Sequence, residues 1–105
     1  MDKRKLIQEL KNFKYRLKND VYINKMIFFG SRIKGKPHKY SDIDLIIVSK
    51  NFRGKKFRYR SLGFYDYWDL DYPVDFLCYT PEEFNKQKKQ VTIVRDALKN
   101  GIEIK

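Results

Sequence analysis

One cysteine, one histidine and three prolines are all that this 105-residue chain has of those residue types. Cys78 alone cannot close an internal disulfide, which excludes a disulfide-stapled scaffold and fits a reducing compartment. It lies in an apolar run, so a buried structural thiol is expected rather than a nucleophile. His38, the only histidine, makes no zinc site by itself and reads as a surface residue in a loop. Long apolar runs are also missing. No stretch of 18 apolar residues is present, which excludes a membrane-spanning helix, and no signal-peptide pattern is seen. The expectation is a soluble, intracellular, cytoplasmic protein. Acidic residues are scarce beside basic ones, 13 against 24, for a net charge of +11. That balance favours anionic partners such as nucleotides or RNA. A Lys-rich solvated surface is the plainer reading. Repeats, linkers and low-complexity tails are absent.

Aromatic and aliphatic residues are well supplied. Hydrophobic residues make up 42% of the chain, with 8 Phe, 8 Tyr and 1 Trp, which excludes a disordered protein. The length suits one domain over residues 1–105 with one modest core. Leu6, Leu10, Phe13 and Leu17 recur at helical spacing and predict an amphipathic helix over 2–20, ended by a turn at Asn19-Asp20. Strands are predicted over Ile23–Phe29, Ile43–Ser49 and Pro73–Tyr79. The second is apolar on both faces beyond Asp44 and should be central. Thr80-Pro81-Glu82-Glu83 is a helix start with a capping box. Helix continues over Thr92–Lys99, with Val91, Val94 and Leu98 on one face, and Asn100-Gly101 predicts a left-handed cap. Ile102–Lys105 reads as a last short strand.

Residues 50–60 hold Lys50, Arg53, Lys55, Lys56, Arg58 and Arg60 with Phe52, Phe57 and Tyr59 between them. Basic residues interleaved with aromatics bind nucleic acid by charge plus stacking. The favoured reading is a loop leading into a helix over Lys56–Leu70 that partly faces the core, although its periodicity is poor and Gly63 weakens it.

The most informative stretch is Phe28–Val48. An apolar run ends at Gly30-Ser31, a basic connection with Gly35 and Pro37 follows, and Asp42-Ile43-Asp44 opens the next apolar run. Residues i and i+2 of a strand share a face about 6.5 Å apart, so Asp42 and Asp44 project together and repel unless a cation lies between them. Hard carboxylate oxygens suit Mg²⁺ or Mn²⁺ held jointly with phosphates. Gly30 permits a sharp turn, Ser31 suits the cap of a helical turn facing an anion, and Arg32 and Lys34 add positive charge. Asp75 is the one charge in the third apolar run, and burying it is costly without a partner such as a shared metal.

Gly30-Ser31, Gly35 and Ser41-Asp42-Ile43-Asp44-Leu45 together resemble the nucleotidyltransferase superfamily that includes DNA polymerase β, and within it the small minimal nucleotidyltransferases of antitoxin type. Ile33 departs from the small residue usual there. The resemblance implies an α+β (α/β) fold: a small, mixed, mostly antiparallel sheet of three or four strands with helices packed mainly on one side. It implies catalytic and metal-binding roles for Asp42, Asp44 and Asp75, with Mg²⁺ or Mn²⁺ as cofactor. Gly30, Ser31 and Lys34 would hold the phosphates of a nucleoside triphosphate, ATP above all. The implied reaction transfers a nucleoside monophosphate, AMP, to an acceptor hydroxyl with loss of pyrophosphate. Larger members use a second domain for base and acceptor, so a partner chain is expected here. The resemblance suggests a helical HEPN-type toxin, with this chain as its antitoxin. Two other readings stay open: a non-catalytic antitoxin or interaction subunit, and an RNA-binding module on the same fold.

Overall fold

A computed structural model describes residues 3–29, 43–90 and 92–105. Helix α1 (Lys3–Leu17) comes first, followed by strands β1 (Lys25–Phe29), β2 (Ile43–Val48) and β3 (Val74–Tyr79). Helices α2 (Pro81–Gln87) and α3 (Ile93–Asn100) and a two-residue strand β4 (Ile102–Glu103) complete the chain. None of the helices among the described residues is long and apolar enough to cross a membrane.

The sheet has the order β3-β2-β1-β4. β1 pairs antiparallel with both β2 and β4, whereas β2 and β3 run parallel. The sheet is therefore mixed and mostly antiparallel, as the sequence suggests. β2 is central because nearly every side chain it offers is apolar. Ile43, Leu45 and Ile47 go to one face and Ile46 and Val48 to the other, all buried.

The two faces carry different covers. Leu6, Leu10, Phe13 and Leu17 of α1 bury against the face bearing Met26, Phe28, Leu45, Ile47 and Cys78. Each fully buried Leu or Phe there contributes about 2 kcal/mol of transfer free energy. Phe84 of α2 with Val94 and Ala97 of α3 covers the other face, over Ile27, Phe29, Ile46 and Val48. Helices thus lie on both sides of the sheet, not mainly on one. The apolar spacing within a helix marks which side of it is buried but not which face of the sheet it meets.

The predicted helix over Lys56–Leu70 does not form. The β2–β3 connection instead makes three single 3-10 turns, at Lys50–Phe52, Phe57–Tyr59 and Phe64–Tyr67. Gly63 sits at φ 86°, a left-handed conformation that ends any helix entering it. The aromatics here pack individually instead of along a stripe. Trp68 meets Phe13 edge-on at 5.1 Å between centroids, and Phe64 and Tyr65 both meet Phe76 edge-on. Tyr65 also donates its hydroxyl to the Val74 carbonyl at 3.1 Å.

Beyond β3, Thr80 and Glu83 form the predicted capping box of α2. α2 and α3 are separate helices. Thr92 Oγ1 donates to the Gln87 carbonyl at 2.8 Å and accepts from the Arg95 amide, so it closes one helix and caps the next. On α3 the buried positions are Val94 and Ala97, while Leu98 is 40% exposed, and Val91 lies outside the described residues.

The left-handed cap expected at Asn100-Gly101 is absent, since Gly101 has φ −90° and ψ −177°, an extended conformation. Its glycine is needed for closeness. A Cβ there would lie 2.4 Å from the Ala97 carbonyl oxygen and 2.9 Å from that of Phe28. Gly101→Ala is accordingly expected to destabilise the fold by about 1–3 kcal/mol through forced backbone shifts. A urea midpoint equal to that of the wild type would show that the backbones do not approach so closely.

Candidate active site

Two carboxylates meet where β2 and β3 begin. Asp44 is the second residue of β2 and Asp75 the second of β3, and the parallel register sets them directly opposite each other. Adjacent strands lie about 4.8 Å apart, and residues paired in register direct their side chains to one face. That face is the one covered by α2 and α3, because Asp44 alternates with Ile46 and Val48, and Asp75 with Leu77 and Tyr79. Among the described residues the apolar cover stops before it reaches the carboxylates. Asp44 is half-buried and Asp75 exposed, with buried Phe29 at the end of β1 on the far side of Asp44.

Rigid neighbours fix this pair. The Ile43 amide donates to the Pro73 carbonyl at 2.8 Å, locking the starts of the two strands together. The Tyr65–Val74 hydrogen bond braces the outer side of β3 one residue before Asp75. Two oxygen-bearing side chains on one rigid face suit a hard divalent cation, whose remaining positions go to phosphate oxygens and water. Magnesium or manganese therefore fits the donor set. Among the described residues no group of three or more His, Cys, Asp and Glu side chains converges.

The other residues singled out from the sequence, Gly30, Ser31, Lys34 and Asp42, lie outside the described residues, as does His38. The structure thus brings together two members of the expected set, Asp44 and Asp75. Asp75 is exposed at a strand start, not buried within an apolar strand, so it needs no counter-ion merely to fold. Cys78, three residues further along β3, is buried against the α1 face, and burial pushes its thiol up to about 12. At that value it stays protonated near neutral pH and is no nucleophile.

The basic segment is not uniform. Arg53 forms a two-point ion pair with Glu82, Nε to Oε1 at 2.7 Å and Nη2 to Oε2 at 2.6 Å. Arg60 is buried, donates to the Lys55 and Cys78 carbonyls and holds both carboxylate oxygens of Glu83. These two arginines tie the β2–β3 connection to the first turn of α2. Lys50, Lys55, Lys56 and Arg58 make no ion pair among the described residues. A block of six like charges hides this division, and the adjacent acidic pair Glu82-Glu83 was the signal that two of the six have partners.

Comparison with known proteins bears on the family and the fold. The sequence profile of the nucleotidyltransferase domain matches residues 5–104. A probable protein adenylyltransferase MntA from Haemophilus influenzae is 40% identical over 68 residues, 63% of this chain and 60% of that protein. The chain therefore matches under two thirds of the length of that curated relative. A crystal structure from Sulfolobus solfataricus, assigned to the nucleotidyltransferases, superposes with a TM-score of 0.64 at 18% identity. The match covers 94% of this chain and 78% of that one, and at this identity it bears on the fold alone.

Proposed function

We infer the reaction from one premise: this chain belongs to the nucleotidyltransferase domain family. The reading is a metal-dependent transfer of AMP from ATP to a hydroxyl acceptor on a protein. The observation that carries it is the register pairing of Asp44 with Asp75 where β2 and β3 begin. Asp44 and Asp75, joined by Asp42, would hold magnesium or manganese, which supplies charge neutralisation for the triphosphate when bound.

The residues divide the remaining work. Gly30, Ser31 and Lys34 take the phosphates. Asp75, the more exposed carboxylate, orients the acceptor hydroxyl and accepts its proton. The hydroxyl oxygen forms a new bond to the α-phosphorus. The bond from that phosphorus to the bridging oxygen breaks, and pyrophosphate leaves. A protein acceptor is favoured by the name of the Haemophilus influenzae relative, and a helical HEPN-type toxin is the acceptor we propose, with this chain as its cytoplasmic antitoxin.

Calorimetry with ATP and Mg²⁺ tests the binding half. Asp44→Asn should weaken metal-dependent ATP binding by about tenfold or more, the order of one lost interaction with a charged group. Equal affinity in the two proteins would overturn the assignment. The transfer half is tested by incubating the chain with α-labelled ATP and the product of the adjacent gene. Covalent label on that product is expected. Absence of label on every acceptor offered, with tight partner binding by Asp44→Asn, favours the non-catalytic antitoxin.

A further inference from the structure

At the opposite end of the sheet lies a groove of about 600 Å³ that the transfer reaction does not use. Val21, Phe52 and Phe64 contribute its apolar lining, and Lys55, Lys56 and Tyr59 its polar and exposed one. It lies beyond the last residue of β2, whereas Asp44 sits near the first. About 13 Å of strand separates those two ends. The groove also adjoins the α1 face of the sheet, through Phe52 and Phe64, and the carboxylates are on the other. It is a second site, not an extension of the first.

We propose that this groove and its rim bind single-stranded RNA, with phosphates on Lys55 and Lys56 of the lining and on Lys50 and Arg58 close by in the chain, and bases on Tyr59 of the lining and on the exposed Tyr22 and Phe57. Three observations carry the proposal. First, Lys50, Lys55, Lys56 and Arg58 are exposed within nine consecutive residues and make no ion pair among the described residues. Asp20, the carboxylate in the lining, already accepts from the Tyr67 hydroxyl. Second, Tyr22, Phe57 and Tyr59 are each about half exposed, at 54%, 50% and 48%. All three rings lie against cations: Lys50 Nζ is 4.5 Å from the Tyr22 centroid, the Arg58 guanidinium 4.8 Å from that of Tyr59 and the Arg60 guanidinium 5.6 Å from that of Phe57. Third, the loop is braced from behind, because Arg60 Nε donates to the Lys55 carbonyl at 3.0 Å while its other nitrogens hold Glu83.

Charge interleaved with flat rings suits a single strand, whose bases are free to stack; a duplex presents its phosphates but hides its bases. An acidic peptide would satisfy the lysines and leave the rings unused. Unpaired strands in a cell are supplied mainly by RNA, so RNA is the occupant we commit to.

Fluorescence anisotropy with a labelled mixed-sequence RNA of about twelve nucleotides, a length within the usual single-strand site sizes, is the test. Four phosphate contacts predict a slope of about −3 for log affinity against log salt. Lys55→Glu/Lys56→Glu should cut affinity by more than about tenfold and flatten that slope, since two phosphate contacts are lost. Tyr59→Ala should cost about tenfold while leaving the slope unchanged, because stacking carries no counterion release. Two controls should bind as the wild type does: Lys11→Glu/Lys18→Glu, which makes the same change in net charge elsewhere, and Asp44→Asn/Asp75→Asn. Equal losses in the Lys11/Lys18 control would reduce the effect to bulk charge and overturn the site. Binding that Lys55→Glu/Lys56→Glu leaves intact, a duplex, DNA strand or acidic peptide bound in preference to the RNA, or RNA binding lost with the carboxylates would each overturn it as well.

Discussion

Replacing Asp44 by Asn is expected to slow nucleotide transfer about a thousandfold, the order seen when one charge-stabilising group is taken from a preorganised site. Asp75→Asn should do the same, and the double variant should be hardly slower than either single one. The reason is geometric. The two side chains start from directly opposed positions on parallel strands, so they serve one assembly and neither works without the other. Residues that act as a unit lose their effect together, not in sequence. Asp42→Asn belongs to the same group. Ser31→Ala should be milder, removing one hydrogen bond to a charged phosphate worth roughly 1.5–3 kcal/mol. Initial rates with radiolabelled ATP and the modified acceptor measure all of these. Losses that multiply in the double variant would show that Asp44 and Asp75 act in separate steps.

The second large effect concerns stability. Arg60 is 8% exposed, and Glu83 satisfies two of its nitrogens. Glu83→Ala leaves that guanidinium buried without its counter-ion and removes the partner of Thr80 in the α2 capping box. Breaking a buried pair from one side costs about 3–5 kcal/mol, and the partial exposure of Glu83 places the expected loss near 3. The hydrogen bond from Arg60 is the largest influence holding the Glu83 carboxyl below its ordinary value of 4.5. A carboxylate with a depressed native value binds its proton more readily in the unfolded chain. Its contribution is therefore present above pH 4.5 and drains away as the pH falls through the native value. Urea midpoints measured from pH 7 downward should converge for the wild type and Glu83→Ala once the acid limb is passed. Parallel curves at every pH would remove the ion pair from the explanation.

Much of this was legible beforehand because the relevant signals are local. The spacing of Leu6, Leu10, Phe13 and Leu17 sets a helical face whatever it packs against, and all four are buried. Thr80-Pro81-Glu82-Glu83 specifies a helix start through contacts three residues apart. The apolar character of Leu45–Val48 on both faces required a central strand. The failures are all matters of long-range context. Lys56–Leu70 is rich in aromatics, and Phe64, Tyr65 and Trp68 are placed by Phe13 and Phe76, partners that periodicity within the segment does not register. Gly101 suggests a left-handed cap through the conformations glycine favours, whereas its role comes from the Phe28 backbone more than seventy residues away. In the site, the expected proximity of Asp42 to Asp44 rests on their spacing alone, since Asp42 lies outside the described residues. The meeting of Asp44 with Asp75 depends on β3 pairing parallel with β2 in one register.

The hydrogen bonds that Tyr65 and Arg60 make to the Val74 and Cys78 carbonyls have a further consequence. Among the described residues β3 ends the sheet on one side, and the carbonyls of Pro73 and Tyr79 bond inward to β2. By alternation those of Val74 and Cys78 look outward, where another strand would dock. Both are already taken, one by a phenol and one by a guanidinium. At the other margin β4 offers only two residues. Neither margin is a long unprotected template, so a sheet open on both sides resists growing from molecule to molecule. Tyr65→Phe keeps the ring on Phe76 and uncovers one acceptor, leaving self-association during concentrated refolding held back by Arg60.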